Sequence, residues 1–84
     1  MKYAYLDKAG ILHITEKEET AKKYSVTGKV VATEVEAAHG YPLADGEEII
    51  VYGPTEMKID AKGPAIEDAE AKYPELAALY RECE

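Results

Sequence analysis

The sequence predicts an α+β domain: an antiparallel sheet of about four to five strands, a short helix after the first hairpin, and C-terminal helices packed on one face, in the order ββαβββαα. Three observations carry this. Short runs of Tyr, Ile, Leu and Val with a period near two recur along the chain. Gly, Pro and Asp clusters punctuate them, and two stretches, 16–24 and 64–82, have the spacing or the end signals of helices. At 84 residues the chain has room for a single compact domain, 1–84, and little space for a large buried active site.

Residues 1–15 are the clearest element. Two runs rich in Tyr, Ile and Leu flank Asp7-Lys8-Ala9-Gly10, with Asp at the first turn position and Gly at the fourth. A type I turn with Gly10 in the left-handed region makes Gly10 the extra residue of a bulge and sets Leu6 opposite Leu12 and Ala4 opposite Ile14. One face is then aliphatic, and the other, bearing Tyr3, Tyr5, His13 and Thr15, is expected to meet solvent or a partner. A slip of one residue would send Tyr3 and Tyr5 to the aliphatic side and mix the polarities, so the first register is favoured.

Thr15-Glu16-Lys17-Glu18 has the form of a capping box, which predicts a helix over 16–24 with Ala21 and Tyr24 on its inner side. From Lys29 to Glu36 the chain alternates as a half-buried strand, with Val31, Thr33 and Val35 on one face and Val30, Ala32 and Glu34 on the other. Residues 37–48 have no period and contain Gly40, Pro42 and Asp45-Gly46, a long loop for so small a domain. Ile49-Ile50-Val51-Tyr52 is apolar on both faces and predicts an interior strand, whereas Thr55 to Asp60 alternates as an edge strand. Pro64 suits a first helical position, Pro74 requires a break near Tyr73, and Leu76, Leu79, Tyr80 and Cys83 form the apolar stripe of a last helix.

Ten Lys and Arg against 17 Asp and Glu give a net charge of −7, which repels phosphate backbones and argues against direct nucleic-acid binding. The charge is uneven: residues 1–33 carry six Lys against four acids, for +2, and residues 34–84 carry four basic groups against thirteen acids, for −9. No run approaches the ~18 apolar residues of a membrane span, and the first residues lack the pattern of a secretion signal, so no membrane contact and a cytoplasmic location are expected. Phe and Trp are absent and all seven aromatics are tyrosines, which must divide bulky filling and recognition between them.

Signals for catalysis are thin. His13 and His39 with Glu34, Glu36 or Asp45 offer metal-ligand types without any metal-binding spacing, and a surface histidine is the ordinary explanation, so neither metal nor cofactor is expected. Cys83, the sole cysteine, sits near a helix C-terminus, where the dipole disfavours a thiolate, and its stripe makes it a core residue. Ser25 lacks a nucleophile elbow, the acidic pairs read as solvated faces, and the glycines are scattered at turns without a phosphate-cradling run.

Two features point to binding. Tyr3 and Tyr5, with His13, share a strand face suited to a contact surface, and His39 and Tyr41 sit on the 37–48 loop, where Tyr41 and Leu43 equally suit a plug for one end of the sheet. The leading expectation is a non-enzymatic interaction module that forms a homodimer through its tyrosine-bearing sheet face or an edge strand. The rivals are a small-ligand binder or minor enzyme sited at the 37–48 loop, and an acidic protein that imitates nucleic acid or neutralises a basic protein partner.

Overall fold

A computed structural model describes residues 1–35, 47–60 and 62–84, so the loop expected over 37–48, with His39 and Tyr41, lies almost wholly outside the described residues. Along the chain run β1 (Lys2–Leu6), β2 (Leu12–Thr15), α1 (Glu18–Tyr24), β3 (Val31–Thr33), β4 (Ile49–Val51), β5 (Met57–Ile59), α2 (Ala69–Lys72) and α3 (Pro74–Cys83). This is the α+β order that the periodicities predict. Every strand pair is antiparallel, but the five strands divide between a three-stranded sheet, ordered β2-β1-β3, and a two-stranded sheet of β4 and β5.

The first hairpin has the expected register, Ala4 opposite Ile14 and Leu6 opposite Leu12. Its turn is closed by the Gly10 amide donating to the Asp7 carbonyl at 2.9 Å, and Gly10 has a φ of 80°, a conformation that costs glycine nothing and most other residues about 1 kcal/mol or more. The Asp7 carboxylate accepts from the amides of Ala9 (2.8 Å) and Ile11 (3.0 Å), so one side chain satisfies the turn's otherwise unpaired donors.

Ala4, Leu6 and Leu12 on the aliphatic face join Leu76, Leu79, Tyr80 and Cys83 of α3 in one buried cluster. Ile49, Val51 and Met57 from the small sheet and Ala69 from α2 complete it. Ile49 to Val51 is therefore not the interior strand of a larger sheet; it is one arm of a hairpin, apolar because Ile49 and Val51 face the shared core while Ile50 stays half-buried. A hydrogen bond between positions far apart in sequence fastens the first turn to the last helix: the Tyr80 hydroxyl donates to the Gly10 carbonyl at 2.7 Å.

The helices depart from expectation at their starts. α1 begins at Glu18, and no capping box forms: the Thr15 hydroxyl accepts from the Lys17 amide at 3.2 Å, two residues on, while Glu18 pairs with Lys22 one turn along. Pro64 does not open a helix, because the next residues run alongside β5. Ala65 bridges Lys58, the Ile66 amide donates to the Met57 carbonyl at 2.9 Å, and Asp68 in the left-handed region (φ 52°) turns the chain into α2 at Ala69. α3 does begin at Pro74, directly after Tyr73, where the missing amide is harmless.

α1 lies against the other face of the three-stranded sheet. Ala21 and Tyr5 are both buried, yet neither belongs to the aliphatic cluster, which places them in a second, smaller contact across β1. The tyrosine face is thus not open along its whole length, as the sequence suggested: Tyr5 is 8% exposed, while Tyr3 is half-buried and its strand partner Ala32 is exposed. Tyr24, expected beside Ala21 on the inner side, is instead 54% exposed. α1 has only seven residues, about two turns, and Ala21 is its buried side chain.

Two substitutions test these supports. A Cβ added at Gly63 would fall 1.7 Å from the Ile59 carbonyl oxygen, a backbone atom that cannot swing aside, so Gly63→Ala is expected to cost about 3 kcal/mol or more in urea unfolding, against less than about 0.5 kcal/mol for Ala at the exposed neighbour Lys62. Tyr80→Phe keeps the ring and removes the bond to Gly10, with an expected loss of about 1 kcal/mol by the same measurement.

Candidate functional site

The bulged turn, the tyrosine face and the helix that crosses it meet in one cleft of ≈ 620 Å³. The local sequence explains each wall. Register places Tyr5 directly opposite His13 on the same face, and their rings stack with centroids 5.1 Å apart and planes 15° from parallel. The bulge carries Asp7 toward that stack, and the His13 Nε2–H donates to the Asp7 Oδ2 at 2.7 Å. On the far side, the end of α1 and the segment after it contribute Lys23, Tyr24, Ser25 and Val26, and Lys8 stands at the rim on the turn. Tyr24 and Val26 are 54% and 58% exposed and both line this wall of the cleft.

The electrostatics follow from these contacts. Burial alone would raise the Asp7 carboxyl, but hydrogen bonds from His13, Ile11 and Ala9 and the charge of His13 outweigh it and hold it below its usual value. Burial first, then the negative charge of Asp7, push the Tyr5 phenol up, so it stays protonated. The Lys23 ammonium lies 5.4 Å from the centre of the Tyr24 ring. Lys8 and Lys23 make no ion pair among the described residues, although the protein carries 17 acidic groups.

Ser25 lines the same cleft as the Asp7–His13 pair, but its hydroxyl donates to the Lys29 carbonyl at 2.8 Å. No hydrogen bond joins Ser25 to His13 among the described residues, so the geometry does not link the hydroxyl to the imidazole as a nucleophile and its base. Cys83 is fully buried, and burial together with Glu82 pushes its thiol up to about 11 against the smaller opposing effect of Lys29. Among the described residues no cluster of three His, Cys, Asp or Glu could hold a metal ion, and no helix is long and apolar enough to cross a membrane.

Of the residues singled out from the sequence, Tyr5 and His13 come together in the cleft. Tyr3 lies on the same face beyond it, beside Thr15 and Ala32, and His39 and Tyr41 lie outside the described residues. Asp7, Lys8, Tyr24 and Val26 were not legible as site residues. The bulge in the predicted register carried the signal for Asp7, since it turns the first turn residue toward the strand face that holds His13. Tyr24 was masked by helical spacing that pointed it inward.

The paired carboxylate provides a direct test. Asp7→Ala is expected to cost about 1 to 2 kcal/mol near neutral pH, and Asp7→Asn less, because an amide oxygen still accepts from Ala9 and Ile11. A carboxyl held below its usual value contributes stability above the ordinary carboxylate range and loses it as pH falls through that range, so the gap between the native chain and Asp7→Asn should close below about pH 4 in pH-dependent urea unfolding.

Compared with known protein families, with curated proteins and with solved structures, the chain matches none of them.

Proposed function

We propose that the chain is a non-enzymatic interaction module that self-associates through the edge of β3 and the adjoining Tyr3–Ala32 part of the tyrosine face. The observation that carries this reading is the partial roof: α1 buries Tyr5 and leaves Tyr3 half-buried and Ala32 exposed at the other end of the same face. Among the described residues β3 is also the outer strand of the order β2-β1-β3, so one row of its backbone donors and acceptors has no strand beside it. Antiparallel pairing of two β3 strands about a twofold axis joins two three-stranded sheets into one of six. It satisfies those groups and extends the Tyr3–Ala32 surface across both copies.

Size-exclusion chromatography with light scattering checks this. At micromolar concentration the native chain is expected to elute at twice its 9.2 kDa mass, and Ala32→Lys, a change at an exposed position, at the single mass with an unaltered circular dichroism spectrum. A native particle of 9.2 kDa overturns the reading.

A further inference from the structure

We infer that the cleft between the first turn and the end of α1 is a binding site for a small planar aromatic carboxylate. Its volume of ≈ 620 Å³ lies within the roughly 300 to 1,000 Å³ of small-molecule sites. Its surfaces are aromatic: Tyr5 is the buried member of the stack and His13 the accessible one, with 43% of its side chain exposed, and Tyr24 lines the same cleft. Val26 adds an aliphatic edge that, like Tyr24, is left more than half in water. A planar ring inserted here covers apolar surface on both sides, which an extended aliphatic chain does less completely.

Charge selects the other end of the ligand. Lys8 and Lys23 flank the cleft without a carboxylate partner among the described residues, in a protein with a net charge of −7. Among the described residues no acid pairs them, so beside the aromatic surface they set up a local positive field in a molecule of negative net charge. Among the described residues the acid that lines the cleft is Asp7, already engaged by His13 and two backbone amides. It repels a second carboxylate weakly and would repel a dianion more, which favours a singly charged ligand. The site lies at the turn end of the hairpin, away from the Tyr3–Ala32 surface, and goes beyond the self-association reading.

Titration of the full chain with 2-naphthoate, followed by amide chemical shifts, tests the inference. Saturable shifts confined to residues 7–13 and 23–26 are expected, with binding weakened about tenfold by Tyr24→Ala and about fivefold by Lys8→Ala with Lys23→Ala, and without saturable binding of 2-naphthylmethylamine, which has the same ring and the opposite charge. Tyr24, Lys8 and Lys23 are exposed, so unchanged circular dichroism of the variants is expected and is measured alongside. The Ala32→Lys chain is expected to bind as the native chain does, which separates this site from the self-association surface. Absence of saturation, equal binding of the amine, shifts centred elsewhere, or a Tyr24→Ala affinity within twofold of native overturns it.

Discussion

The contact between the aliphatic face of the first hairpin and the stripe of α3 is the constraint on which the other parts depend. Ala4, Leu6 and Leu12 meet Leu76, Leu79, Tyr80 and Cys83, joining the two ends of the sequence in one cluster. Each large side chain buried there is worth about 1.5 to 3 kcal/mol, a large share for a domain of this size. The Tyr80 hydroxyl then adds direction to a contact that hydrophobic burial leaves free to slide, because its bond to Gly10 fixes the helix against the turn. Thr27 and Lys29 extend the same tie: the Thr27 hydroxyl donates to the Cys83 carbonyl at 3.0 Å, and the Lys29 ammonium to the Glu84 carbonyl.

With one sheet face committed to α3 and the small sheet, the other face is left to a helix of seven residues. That helix is too short to cover three strands. Among the described residues it lies over Tyr5, borders a cleft at the turn, and leaves Ala32 on the β3 side exposed, so the candidate binding cleft and the candidate self-association surface arise from the same shortage of cover. They differ in chemistry. Among the described residues, the cleft combines stacked rings with lysines that make no ion pair, whereas the β3 side combines a strand edge with small and aromatic side chains.

Asp7 joins fold and site. As the first residue of the turn it accepts two backbone amides, and through its second oxygen it holds His13 flat against Tyr5. A residue chosen by turn chemistry thereby sets the orientation of the more accessible ring of the stack. Such double use is economical in a chain of 84 residues, where few positions are spare.

The sequence by itself determined what depends on neighbours along the chain. The hairpin register follows from turn chemistry and from alternation of period two, the break at Tyr73 from the amide that Pro74 lacks, and the α3 stripe from helical spacing. Only the tertiary structure decided what depends on neighbours across space. Backbone hydrogen bonds carry no residue label, so nothing in Ile49-Ile50-Val51 announced that it would pair with β5 alone, and nothing near Pro64 announced that Ala65 would run beside Lys58 instead of opening a helix. Tyr24 has the spacing of a core residue and lies exposed at the last position of α1, where Ala21 is the buried side chain. Periodicity assigns a side chain to a face of its own element, and only the area offered by the facing element settles whether that face is covered.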